Sequence, residues 1–165
     1  MAICVLVAAC GPPPRHGGGD DGTDAHVAGD GSGSGDNGCA MGTELIYVID
    51  QFNKLLSQFD PQTKMFHDLG QLNCPTMAGA TPFSMGVDRQ ANAWVLYNSG
   101  ELFRVVLPGL QCTKTTWTMQ SGLKVFGMGF STDMPGGQTE HLFIGGGQSQ
   151  TQSSFTLMVV AVLMT

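Results

Sequence analysis

Cys10 has the clearest chemistry of any residue in this chain. It follows Val7-Ala8-Ala9, which is small and apolar, and a polar stretch lies beyond it. Small residues ahead of a cysteine fit a processing site after which that cysteine becomes the lipidated first residue of the mature chain. Ile3-Cys4-Val5-Leu6-Val7-Ala8-Ala9 supplies a minimal apolar core, so residues 1–9 read as a signal-peptide-like leader. The basic start of such leaders is missing, and a short strand is the alternative. Cys39, Cys74 and Cys112 lie 35 and 38 residues apart, which rules out a C-x-x-C metal or redox motif. In an oxidising compartment they predict one disulfide, Cys74–Cys112 or Cys39–Cys74, with one thiol left over.

Other catalytic groupings do not assemble. His16 and His26 sit in the polar stretch, and His67 and His141 stand alone in strand-like runs, with no H-E-x-x-H spacing. Pro82-Phe83-Ser84-Met85-Gly86 lacks the first glycine of a nucleophile elbow, so Ser84 reads as a strand residue. Gly145-Gly146-Gly147 lacks the Lys-Ser/Thr of a phosphate loop. Asp88 and Asp133 follow strand-like runs, where aspartates fix turns by accepting backbone N–H bonds. The Asp-Gly pattern of residues 17–38 contains no complete calcium loop. The expectation is a protein without catalytic residues, metal or cofactor.

These residues need positioning elements, and the chain divides sharply into two textures. Residues 10–43 are rich in Gly and Asp and read as a disordered tether behind the lipidated cysteine. Five aspartates against Arg15 give residues 11–43 a net −4 of the chain's −6, which favours solvation and extension. No Lys/Arg cluster exists anywhere, which argues against a nucleic-acid partner.

Residues 44–165 form the folding body. Leu45-Ile46-Tyr47-Val48-Ile49 is apolar and β-branched, a strand by composition. Further strands are expected at 55–59, 65–69, 83–87, 93–97, 102–107, 126–130 and 142–144. Asp60-Pro61 marks a turn. Short strands punctuated by Gly, Pro, Asn and Asp, with no helical stripe over eleven residues, predict an all-β fold.

The strands repeat. Tyr47-Val48-Ile49 aligns with Trp94-Val95-Leu96 at an offset of 47, as do Leu55-Leu56 with Leu102-Phe103 and Pro61 with Pro108. Phe83-Ser84-Met85-Gly86-Val87-Asp88 aligns with Phe126-Gly127-Met128-Gly129-Phe130-Ser131 at 43. Leu142-Phe143-Ile144 follows Trp94-Val95-Leu96 at 48. A period in the forties built from four short strands is the pattern of a β-propeller blade.

Thr81-Pro82-Phe83-Ser84-Met85-Gly86-Val87-Asp88, Ala93-Trp94-Val95-Leu96, Gly100-Glu101-Leu102-Phe103-Arg104-Val105 and Phe126-Gly127-Met128-Gly129-Phe130 resemble a group of myxobacterial lipoproteins with propeller-like repeats. The resemblance covers residues 45–147. It implies surface anchoring and a propeller-type fold, and no activity. Asp88 with Ala93-Trp94-Val95 is also distantly similar to streptogramin-lyase-like secreted propellers. Their channel histidines have no equivalents here. The 122 residues from 44 to 165 hold only two to three blades, against about four for closure, so the chain reads as an apparently truncated member. The apolar end, residues 153–165, is too short to span a bilayer and reads as a final buried strand.

The expected function is therefore a non-enzymatic lipoprotein of the cell envelope, anchored to the outer membrane or cell surface through lipid on Cys10. Its propeller-like module binds a protein or carbohydrate partner, or serves as a scaffold. Self-association through open sheet edges is a further expectation. The alternatives are a secreted lyase- or lactonase-type propeller enzyme and a non-functional fragment of a longer propeller.

Overall fold

Short runs rich in apolar and β-branched residues, bounded by turn residues, pair as strands, and the described residues hold three antiparallel sheets. The computed structural model describes residues 3–5, 40, 42–43, 45–120, 122–132, 134, 139–146 and 158–162. Among them there is no helix. Cys10, Cys39, His16, His26 and Asp133 lie outside the described residues.

The first sheet runs in the order β1 (Ile3–Val5), β2 (Ile46–Asp50), β3 (Leu55–Asp60), β4 (Met65–Gln71). The second is β5 (Pro82–Val87), β6 (Asn92–Tyr97), β7 (Leu102–Val106), β8 (Gln111–Lys114). The third is β9 (Gly127–Thr132), β10 (Glu140–Gly146), β11 (Met158–Val162). Part of the run read as a leader thus forms β1, which pairs with β2 through Ile3–Asp50, Cys4–Ile49 and Val5–Val48. Part of the apolar end forms β11, paired to β10. The polar strand β8 carries no apolar alternation and was not expected from sequence. It exists because β7 offers it a free edge.

Aspartates set several of the turns. Asp50 Oδ1 accepts the N–H of Phe52 at 2.8 Å, and Asp60 Oδ1 accepts that of Gln62 at 2.8 Å. Asn53 Nδ2 and Thr63 Oγ1 donate to the second oxygen of each. The chain then leaves each turn through a left-handed lysine, Lys54 at φ 55° and Lys64 at φ 59°. These bonds favour the charged form and hold both carboxyls below the usual carboxylate range.

The sheets stack face against face. One core lies between the first and second sheets: Tyr47, Ile49 and Leu56 meet Met85, Val87, Ala93, Val95, Tyr97, Phe103 and Val105. The other lies between the second and third: Trp94, Leu96 and Leu102 meet Phe126, Leu142 and Ile144, with Met128 and Phe130. The second sheet is covered on both faces, so β6 is buried almost throughout. The strands β1, β5 and β9, each first in its sheet, cluster: β1 and β9 both lie against β5. The folded part also reaches back into the stretch read as tether. The N–H of Ala40 donates to the carbonyl of Arg89, Tyr47 Oη donates to the carbonyl of Gly42, and Thr43 is buried.

The repeat falls on equivalent strands, with two corrections of one residue. Tyr47 and Ile49 face the second sheet as Trp94 and Leu96 face the third, so the offset of 47 holds for the second strands. Met85 and Val87 face backward as Met128 and Phe130 do, so 43 holds for the first strands. Leu56 pairs with Ile49 but Leu102 pairs with Leu96, because the turn after β6 is one residue shorter. The third strands therefore align Leu56 with Leu102, at 46 and not 47. In β10, Leu142 and Ile144 share the backward face of Ala93 and Val95, which puts the offset at 49 and not 48. A slip of one residue sends every side chain to the opposite face, which is why face assignment settles what short matches leave open.

Candidate functional site

Asp88 is the most heavily engaged acidic side chain. It directly follows β5, is buried, and accepts five hydrogen bonds. Oδ1 takes the N–H of Gln90 at 3.0 Å, the N–H of Asn92 at 2.8 Å and Asn92 Nδ2 at 3.1 Å. Oδ2 takes Asn92 Nδ2 at 3.0 Å and Trp94 Nε1 at 2.9 Å. With its lone pairs committed, the carboxylate fixes the turn and the Trp94 ring. That is the turn-fixing role expected from its position.

Beside it, Glu140 links the second and third sheets. Its Oε2 accepts the N–H of Arg89 at 2.8 Å, and its Oε1 stands 3.9 Å from Arg89 Nε. Burial pushes the Glu140 carboxyl up. The Arg89 N–H and guanidinium oppose this, and the charge of Asp88 adds to it. Glu101 has the opposite environment. Lys114 Nζ donates to its Oε1 at 2.8 Å, while the N–H of Met77 and the hydroxyl of Ser99 donate to Oε2, each at 2.9 Å. These bonds pull it down to about 2.

The two carboxyls act on stability with opposite signs. For Glu140 the folded pKa lies above the unfolded one, so its contribution is full below about pH 4.5 and is lost as pH rises through the folded value. For Glu101 the contribution is full above about pH 4.5 and is lost as pH falls toward about 2. Chemical denaturation across pH should show Glu140→Gln gaining on the wild type between pH 4.5 and 7.5. Glu101→Gln should lose most at neutral pH and converge with the wild type in acid. Parallel curves for both variants would refute these assignments.

The remaining candidates are separated by the fold. Ser84 is a buried β5 residue, and its hydroxyl donates to the carbonyl of Phe126 in the next sheet. His67 is exposed on β4 of the first sheet. His141 lies on β10 of the third sheet against Phe143, with ring centroids 6.4 Å apart. Among the described residues no three His, Cys, Asp or Glu side chains converge as a metal site. Of the two pairings left open by sequence, the structure holds Cys74–Cys112, with Cα atoms 5.1 Å apart.

An apolar rim is the feature that sequence reading did not reach. Phe52 sits in the turn after β2 and is 74% exposed. Exposed Met77 and Met119 flank the equivalent turn after β6: the Met77 N–H donates to Glu101, and Met119 Sδ lies at Gly100. Gln51 and Asn98 both donate to Thr81 Oγ1, which joins the two turns. Gly100 has φ 88°, a conformation that glycine adopts without strain. Phe and Met on adjoining turns offer adaptable apolar contact of the kind used in binding. Each side chain taken alone is an unremarked loop residue in the sequence. Only the stacking of sheets brings the turns together.

Tyr97 shows the cost of a buried polar atom. Its ring packs edge-on against Phe103, with centroids 5.5 Å apart, and its buried hydroxyl has no hydrogen-bond partner among the described residues. Burial pushes the phenol up to about 12. Tyr97→Phe keeps the ring and removes the orphaned hydroxyl, so it is expected to raise the unfolding free energy by about 1 kcal/mol. A loss of stability in urea titration would reveal a partner for the hydroxyl.

No known family model matches this chain, and no curated protein matches it.

Proposed function

We propose that the body is an array of propeller-type blades held at the cell surface by a lipid on Cys10, and that it serves as a binding or scaffolding module and not as an enzyme. The observation that carries this reading is the repeat itself: three consecutive antiparallel sheets, stacked face to face, with their first strands clustered. Successive propeller blades would stack in this way, which supports the reading. The rim of Phe52, Met77 and Met119 supports a binding role, since it joins turns of two neighbouring sheets. The partner is a protein or a carbohydrate ring whose apolar face meets these side chains.

The anchor has a direct test. Pairing of Ile3–Val5 with β2 and cleavage ahead of Cys10 exclude one another, since cleavage removes β1. Metabolic labelling with a fatty-acid analogue should mark the membrane-extracted protein, and Cys10→Ala should abolish the mark. Intact mass should show a chain beginning at Cys10. Label that persists in Cys10→Ala, or an unlabelled chain retaining residues 1–9, would overturn the anchored reading and leave β1 as part of the mature fold.

A further inference from the structure

We propose that two copies of this chain join head to tail, the backward face of one copy's first sheet covering the forward face of the other's third sheet. The proposal extends the blade reading and does not involve the lipid anchor. Its basis is a pair of side-chain columns that recur across the three described sheets, buried between sheets and more exposed on the two outer faces.

The forward column is aromatic. Tyr47, Trp94 and Phe143 occupy equivalent positions on the second strands of the three sheets. Tyr47 is 4% exposed beneath the second sheet, and Trp94 is 9% exposed beneath the third, where its ring lies 6.1 Å from that of Phe130. Phe143 is 36% exposed. Each of the last two lies opposite a glycine on the first strand, Gly86 for Trp94 and Gly129 for Phe143. A Cβ on Gly86 would touch Met128 and Phe130 of the next sheet at 3.4 Å, whereas one on Gly129 meets nothing within 4 Å. The third sheet thus repeats the second sheet's receiving slot in an open state.

The backward column is aliphatic. Ile46, Ala93 and Leu142 are equivalent, as are Val48, Val95 and Ile144. Ala93, Leu142, Val95 and Ile144 are all buried against the preceding sheet, while Ile46 and Val48 remain half-buried. The same face of the first sheet continues through Phe59 and exposed Phe66, whose ring centroids are 4.8 Å apart. The surface that fits against each aromatic column is therefore known from the two internal interfaces, and the first sheet carries a further, half-buried example of it. Contacts of this head-to-tail kind form rings or filaments depending on whether the rotation closes. The three sheets of the described residues would bring two copies to six, within the range of about four to eight at which such rings close.

Light scattering coupled to size-exclusion chromatography on the full chain tests this, with circular dichroism to confirm folding. The wild type should be a dimer. Phe143→Lys alters only the forward face and Val48→Lys only the backward face, and each should weaken association about a hundredfold and yield monomers. An equimolar mixture of the two should recover dimers, because one unaltered forward face then meets one unaltered backward face. If Val48→Lys fails to fold, Phe66→Lys on the exposed outer strand replaces it. A monomeric wild type, a dimer that survives Phe143→Lys, or a mixture that stays monomeric would each overturn the proposal. Loss of the dimer with Val48→Lys alone would point to a face-to-itself contact and overturn it equally.

Discussion

Replacing both Cys74 and Cys112 by serine is expected to lower the unfolding free energy by about 4 kcal/mol. The two cysteines are 38 positions apart, and the bridge encloses β5, β6 and β7 entirely. It ties the segment leaving the first sheet to β8, the outer strand of the second. A closed loop of that length removes much conformational freedom from the unfolded chain, which accounts for most of the effect. Both cysteines also pack against the core between the first two sheets, so serine hydroxyls there add a smaller desolvation cost. The midpoint of thermal unfolding should fall by about 15 °C or more. Guanidinium titration of the oxidised protein, the reduced protein and the double-serine variant checks it. Reduced and substituted forms should agree with one another. A loss below about 1 kcal/mol would mean that the bridge constrains little in solution.

The second large effect is expected at Asp88. Asp88→Ala should cost about 3–5 kcal/mol, because one truncation strands four donor groups at once. The N–H groups of Gln90 and Asn92, the Asn92 amide and Trp94 Nε1 all lose their acceptor. Trp94 then loses its anchor at the centre of the core between the second and third sheets, where it packs near Phe130. Asp88→Asn is the sharper variant. One amide oxygen can still accept from the turn, but the amide nitrogen then faces Trp94 Nε1 and Asn92 Nδ2, donors against a donor. It should recover only part of the loss. Near-ultraviolet circular dichroism and tryptophan fluorescence report the release of Trp94, and denaturant titration reports the energy. An Asp88→Asn variant as stable as the wild type would show that the Trp94 bond contributes little.

The sequence by itself determined the class of the fold and the rhythm of its strands. Leu45-Ile46-Tyr47-Val48-Ile49, Ala93-Trp94-Val95-Leu96-Tyr97 and Leu142-Phe143-Ile144 are apolar and short, and turn residues bound them, so local chemistry marks them as strands. The turn role of Asp88 was legible for the same reason, since an aspartate and the N–H groups it holds lie within four residues. Tertiary structure alone decided three things. It decided which face each repeat position presents: Leu142 and Trp94 match as apolar residues, but strand pairing puts them on opposite faces. It decided that polar β8 is a strand, through the free edge of β7, and that Cys74 meets Cys112, through a contact across 38 positions. And it joined the turn that carries Phe52 to the turn flanked by Met77 and Met119, through Thr81, and left Phe143 exposed on the third sheet. Local composition encodes the conformation of a segment. Packing between segments far apart in sequence decides which of its side chains are buried and which remain for a partner.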